Sequence, residues 1–335
     1  MYMKAPAAVF IVAAFLLQLL AGCGGKAAKP LSVAGSAKVT DPSQELPLPM
    51  IPASISDPQE RAAYLALHYW DALDFANTRV SLDSAFMEQA FANYSTVLPL
   101  TPDSARRAAV YAVLDSARTA SPRVYENFLE IAEHYLYEPE SPVYNESSYL
   151  PFAEYILQLS GGRDERAADV IADIRRNAPG THAPDFQFRR FPSGTARLLA
   201  SDAGEAITML MFYEPDCDRC HTAIELLSGS EALANQVANG ALRVVAVYVG
   251  DDTAQWRTHA ATLPSDWLVG IAPASGAEAS SGASSTSGVS FGGAEASPDD
   301  LYSIRATPSI YLIDANGTII LKDAPLQEVA SALGL

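Results

Sequence analysis

Cysteine is scarce in this sequence, with three residues in 335. That excludes a small disulfide-stapled scaffold, which needs several bridges. With five scattered histidines besides, no four-ligand structural zinc site is available. Basic residues are few as well: 22 Lys and Arg stand against 39 Asp and Glu, for a formal net charge of −17. So acidic a chain repels nucleic acid and anionic headgroups, and neither is expected as a partner. Long apolar runs are missing. The one stretch of note, from about Ala7 to Leu20 behind Lys4, is too short and wrongly flanked to span a bilayer. Serine-hydrolase, P-loop and dinucleotide patterns are absent, and no fixed-period repeat occurs.

What the N-terminus contains is an export signal over residues 1–22, ending Leu20-Ala21-Gly22-Cys23. Small residues ahead of a cysteine resemble a bacterial lipobox. The resemblance implies cleavage before Cys23 and acylation there, with palmitate among the chains attached. An ordinary signal peptide with an incidental cysteine is the alternative. Loss of Lys4 moves the formal charge from −17 to −18, so membrane attachment would rest on the lipid and not on a basic surface. Export to an oxidising compartment usually brings structural disulfides. With Cys23 acylated, only Cys217 and Cys220 remain to form one.

Residues 23–56, with Pro42, Pro47, Pro49 and Pro52, read as an extended spacer. The remaining roughly 280 residues suffice for two domains. Asp57-Pro58-Gln59-Glu60 offers an N-cap, a proline at the first helical position and a capping-box glutamate. Leu65, Tyr69, Ala72, Leu73 and Ala76 follow on one face. Similar starts at Ser81, Thr101-Pro102-Asp103 and Ser121-Pro122, with segments 148–159 and 164–177, predict an all-α bundle of about six helices over 57–178. His68 and His134 read as surface or core residues, not ligands, and Tyr135–Tyr149 as a packed inter-helix loop.

Beyond residue 178 the periodicity changes. Phe186, Phe188 and Leu198-Leu199 suggest short strands, while Ala206–Tyr213 and Ala241–Val249 read as buried ones. Helices are expected from Cys217 to about Leu227, over Thr253–Thr262, and from Leu326 to Ala332. Ala315-Asn316-Gly317 closes a hairpin between Ser309–Asp314 and Thr318–Leu321. Strands alternating with helices predict α + α/β overall, an all-α bundle followed by a sheet flanked by helices over 179–335. The Ser/Ala/Gly/Glu-rich segment 274–298 cannot bury a core and is expected to be a disordered insert.

Cys217-Asp218-Arg219-Cys220 sits where the Ala206–Tyr213 strand passes into a helix. The helix N-terminus presents unpaired N–H groups and partial positive charge, which favour a thiolate. Only a thiolate attacks a disulfide, and a second cysteine one turn on can resolve the product. Asp216 and Asp218 oppose the thiolate of Cys217 while Arg219 supports it; the sum is left open. The expectation is a thiol less acidic than a strong oxidant's, which argues for reduction or isomerisation.

Ala183-Pro184-Asp185-Phe186, the segment Met211–Cys220 and the segment Ile304–Gly317 together resemble the TlpA/ResA branch of the thioredoxin superfamily. The likeness covers about 181–335 and implies a thioredoxin-like fold. Upstream, Tyr64–Asp71, Tyr135–Glu146 and Asn177–Phe186 resemble the helical domain, of no established activity, that precedes such domains in Bacteroidetes lipoproteins. The resemblance implies Cys217 as nucleophile, Cys220 as resolving thiol, and Thr307-Pro308 as a cis-proline turn whose backbone pairs with a substrate peptide. It further implies a periplasm-facing thiol-disulfide oxidoreductase acting on protein disulfides, without a cofactor, and supplied with electrons by a membrane thiol transporter. The sequence departs from the branch at Asp216, where tryptophan is common, and in the 274–298 segment.

Two rival functions fit part of the pattern. Cys217-Asp-Arg-Cys220-His221 is also the attachment motif for c-type haem, with His221 as axial ligand and Met209 or Met211 as the nearest sixth ligands. A non-catalytic anchored binding lipoprotein would use the helical domain for capture and the second domain as scaffold.

Overall fold

A computed structural model describes residues 38–199, 206–272 and 296–335. The signal segment, Cys23, the first part of the expected spacer and nearly all of the expected insert lie outside the described residues. The chain divides into two compact units, one up to Ala172 and one from Asp173.

Among the described residues, the first unit holds helices α1 (Pro58–His68), α2 (Thr78–Ser81), α3 (Ser84–Val97), α4 (Asp103–Ala120), α5 (Pro122–Leu136) and α6 (Glu146–Leu159), and α7 (Glu165–Arg175) runs across the boundary at Ala172. The starts follow local capping chemistry. The Asp57 carboxylate accepts from the amides of Gln59 and Glu60 at the head of α1. Ser121 accepts from Val124 ahead of Pro122 in α5. Asp83, not Ser81, caps α3. Between α3 and α4 a 3-10 turn, Leu98–Leu100, is tied off by the buried Arg106, whose Nη1 donates to the carbonyls of Leu98 and Thr101.

Three expectations need correction here. The first helix stops at His68, so Tyr69, Ala72 and Leu73 reach the core from a following turn. The expected Tyr135–Tyr149 loop is confined to residues 137–145, because α5 and α6 extend into it, and Tyr137 stacks on Tyr149 at 4.7 Å. The described end of the spacer is docked, not extended: Val39 is buried and its amide donates to the Ala72 carbonyl, and Arg79 pairs with Asp41.

The core of this unit is aromatic. Phe128 is fully buried, with Trp70 at 5.1 Å, Phe91 at 5.5 Å and Phe152 at 6.5 Å between ring centroids. Such rings bury large areas, and edge-to-face pairs add roughly 0.5–1.5 kcal/mol each.

Among the described residues, the second unit carries a seven-stranded mixed sheet in the order β2-β1-β5-β4-β3-β6-β7. Its strands are β1 (Gln187–Arg190), β2 (Thr195–Arg197), β3 (Ile207–Tyr213), β4 (Leu242–Tyr248), β5 (Leu268–Ile271), β6 (Ser309–Ile313) and β7 (Ile319–Leu321). The helices are α8 (Asp218–Ser228), α9 (Glu231–Ala238), α10 (Thr253–Ala260), α11 (Pro298–Leu301) and α12 (Leu326–Leu333). Strands β3, β4 and β5 run parallel, and β6 returns antiparallel against β3.

Strand β3 is buried on both faces. Met209, Met211 and Tyr213 enter one apolar cluster with Cys220, Trp256 and Val329, while Leu210 and Phe212 enter another with Phe186, Tyr302 and Tyr311. This is why its sequence reads as a continuous apolar run and not as an alternation. Full burial of each such side chain contributes roughly 1.5–3 kcal/mol.

Helix α9 and strand β5 are absent from the sequence expectation. Eight residues behind a Ser230 cap and four residues containing Gly270 carry little periodic signal. Gly270 is required sterically, since a Cβ there would lie 2.2 Å from the Phe188 ring. At the β6–β7 turn only Gly317 has positive φ, at 80°. The Asp314 carboxylate accepts from the amides of Asn316 and Thr318 and supplies the rest of the turn.

Candidate functional site

The two cysteines are neighbours one turn apart at one helix start and differ in depth. Cys217 is the N-cap of α8, extended at φ −92° and ψ 113°, and its sulfur accepts from the Cys220 amide at 3.2 Å. Cys217 is half-buried. Cys220, inside the first turn, is fully buried in the cluster under β3. Both are free thiols. Burial is the main cause that pushes the Cys220 thiol up to about 12, followed by its hydrogen bond with Cys217 and the charge there; the Glu214 backbone and Thr307 oppose the rise. An accessible N-cap sulfur over a buried, strongly protonated one divides the roles of first attack and later resolution.

The Thr307-Pro308 peptide is cis and lies beside the pair. Sheet register accounts for its place. Ser309 at the start of β6 pairs with Phe212 near the end of β3, so the two residues ahead of it reach the head of α8. The Cys217 thiol donates to the Thr307 carbonyl at 3.4 Å, and Arg219 Nη2 donates to the same oxygen at 3.0 Å. Arg219 is therefore turned toward the proline loop. Asp216 and Asp218 are exposed at the rim.

His221 is exposed, and its Nε2 donates to the Pro215 carbonyl at 2.5 Å. Its ring stacks on His259 of α10, with centroids 5.5 Å apart and planes at 19°. The His259 ring in turn lies 5.4 Å from that of Tyr213. Nothing in the local sequence signals this neighbour, because His259 follows a different strand.

The haem alternative does not fit these residues. Nε2 of His221 is engaged by the Pro215 carbonyl, Cys220 has no exposed surface for thioether attachment, and Met209 and Met211 are fully buried in the core. His68 and His134 are engaged locally, with Asp71 at 2.8 Å and Glu138 at 2.6 Å. Among the described residues no three His, Cys, Asp or Glu side chains gather to hold a metal, and no helix is long and apolar enough to cross a membrane.

Comparison with known proteins agrees with this two-part organisation. Residues 25–177 match the family described as a domain of unknown function, DUF5106. No curated protein matches the chain. A crystal structure of a thioredoxin-like protein from Bacteroides caccae is similar over 87% of this chain and 98% of that one, at 24% identity and a TM-score of 0.70. A conserved protein of unknown function from Bacteroides fragilis is 31% identical over 47% of this chain and 98% of that one, with a TM-score of 0.37. The thioredoxin domain of a thiol-disulfide oxidoreductase from Bacteroides vulgatus is 16% identical over 47% of this chain and 98% of that one, with a TM-score of 0.34. The chain is thus an α + α/β protein in which a helical domain, matched by a family of unknown function, precedes a thioredoxin-like fold.

Proposed function

We propose that this protein is a thiol-disulfide oxidoreductase of the TlpA/ResA type, held at a membrane by lipid on Cys23 and acting on protein disulfides from the periplasmic side. The observation that carries the reading is the pairing of a half-exposed N-cap thiol, Cys217, with the fully buried Cys220 beside the cis Thr307-Pro308 peptide.

In the forward cycle the Cys217 thiolate attacks one sulfur of a substrate disulfide, and the other leaves as a thiolate that takes a proton from solvent. Cys220 then loses its proton and attacks the Cys217 sulfur. The mixed disulfide breaks, the second substrate sulfur leaves and is protonated, and the protein holds a Cys217–Cys220 disulfide. The substrate has gained two electrons and two protons. Turnover as a reductase needs a two-electron donor, the part the family resemblance assigns to a membrane thiol transporter. Isomerisation needs none, since Cys217 leaves as a thiolate when another substrate thiolate attacks the substrate-side sulfur of the mixed disulfide.

The test is a redox equilibrium of the purified protein, with Cys217 and Cys220 scored by alkylation and mass. A single two-electron transition between about −200 and −270 mV supports a reductase or isomerase. A value near about −120 mV reverses the direction to oxidation. A pair that never closes a disulfide leaves the anchored scaffold in its place.

A further inference from the structure

The parallel pairing of β3 and β4 brings the ends of both strands to one edge of the sheet. Tyr213, the last residue of β3, stands opposite Tyr248, the last of β4, with the rings 6.2 Å apart. Neighbouring strands lie only about 4.8 Å apart, so whatever follows each strand emerges at the same edge. After β3 come Glu214, Asp216, Cys217 and Asp218 in a tight turn, with the Cys217 amide donating to the Glu214 carbonyl at 3.3 Å. After β4 come Gly250, Asp251 and Asp252. Gly250 packs on the Tyr248 side chain so closely that a Cβ there would lie 2.2 Å from the hydroxyl oxygen. That contact keeps Asp251 and Asp252 over the strand end, where the Asp252 carboxylate accepts from the amides of Ala254 and Gln255 at the head of α10. Glu214, Asp251 and Asp252 all act electrostatically on the Tyr248 hydroxyl.

The carboxylates of Glu214, Asp216, Asp218, Asp251 and Asp252 thus gather where β3 and β4 end, around the one half-exposed reactive sulfur, and all five residues are exposed. The basic side chains near these strand ends lie to either side. Arg219 donates to the Thr307 carbonyl, and Arg305 stands two positions before Thr307. Arg189 and Arg257 lie against the Trp256 ring, with Arg189 donating to Thr253 at 2.9 Å. His221 and His259 stack on one another. The chain as a whole is acidic, at −17, but only charges within about 10 Å act on a disulfide at the moment of contact in 0.1 M salt.

We propose that this rim selects protein disulfides flanked by lysine or arginine and turns away those flanked by carboxylates. The inference rests on the oxidoreductase reading above and names its substrate class. The chemistry is the cycle already given: the substrate gains two electrons and two protons, and the Cys217–Cys220 disulfide forms. The five carboxylates touch none of the reacting atoms. They act on encounter, because a surface of one sign raises the local concentration of an oppositely charged partner and lowers that of a like-charged one.

The experiment is single-turnover oxidation of the reduced full chain by three synthetic peptides of equal length. Each is closed by one internal disulfide, flanked by lysines, by serines or by glutamates. Acid quenching, alkylation and mass score the Cys217–Cys220 pair. In low salt the lysine peptide is expected to react at least about tenfold faster than the glutamate peptide, with the serine peptide between them. At about 0.5 M salt that ratio should shrink to a few-fold. A thiolate is itself anionic, so part of the ratio belongs to any thiol. The rim's share is read from the double variant Glu214→Gln with Asp251→Asn, both exposed and outside the thiol pair and the proline turn. It should cut the ratio at least about threefold and keep the serine-peptide rate within about twofold of wild type. Three equal rates in the wild type, or an unchanged ratio in the double variant, would overturn the selection by charge while the oxidoreductase reading stood. Failure of all three peptides to close the Cys217–Cys220 pair would remove both.

Discussion

The sulfur of Cys217 lies 3.4 Å from the carbonyl oxygen of Thr307, ninety positions further along the chain, and Arg219 reaches the same oxygen at 3.0 Å. The carbonyl assigned by resemblance to a substrate strand is therefore already occupied in the free protein. A peptide that pairs with Thr307 has to displace Arg219. Arg219→Gln should lower KM for a peptide disulfide about fivefold, the worth of one hydrogen bond of about 1 kcal/mol, with little effect on a small aromatic disulfide. An equal change for both substrates would mean that Arg219 acts on the thiol and not on the docking edge.

Cys220, its thiol pushed up to about 12 chiefly by burial, stays protonated at neutral pH. Iodoacetamide should therefore modify Cys217 alone in the native reduced protein, and Cys220 only after unfolding. Labelling of Cys220 in a Cys217→Ser variant should rise close to tenfold per pH unit from pH 8 to 10. A rate that levels off near pH 8.5 would show an ordinary, solvated thiol.

Stability should fall in alkali. Burial raises the proton affinity of Cys220, Tyr69, Tyr94, Tyr213 and Tyr302 above ordinary values of 9.0 and 10.0. Groups raised in this way favour the folded state fully below the unfolded value, and that contribution is lost as pH rises toward the folded one. The melting temperature should thus decline from about pH 9 upward, with each group costing at most about 1.4 kcal/mol per pH unit. A flat profile from pH 8 to 11 would contradict the burial of these hydroxyls.

In the helical unit, Phe128→Ala should destabilise by roughly 3–5 kcal/mol, since the ring is fully buried among Trp70, Phe91 and Phe152. Denaturant unfolding of the variant measures it. A loss under about 1 kcal/mol would mean that this aromatic cluster is loosely packed.

Cys23→Ser should move the protein from the membrane fraction to the soluble one and abolish labelling by a palmitate analogue. Retention in the membrane without label would point to an anchor other than lipid.

Much of the site is readable in one dimension because its parts are local. An apolar run long enough for a buried strand, then two cysteines at a helix start, places Cys217 and Cys220 one turn apart, the first half-buried at the N-cap and the second fully buried. The capping residues Asp57 and Ser121 likewise act on amides two or three positions away. Strand β5 escaped notice because Leu268–Ile271 is too short to show a period. Its pairing with β4, between Tyr248 and Ile271 among others, is what makes it a strand.

Local spacing, caps and charge balance were enough to establish the two-part α + α/β organisation, the thiol pair and the acidic character of the chain, since each depends on neighbours within a turn or a strand. Tertiary structure alone decided that Arg219 meets Thr307 and that Tyr213, His259 and His221 lie in one row. Those meetings depend on β6 returning against β3, and on α10 leaving β4 beside Tyr213. Sheet register is set by burial of whole faces across distant segments, and no pattern within any one segment encodes it.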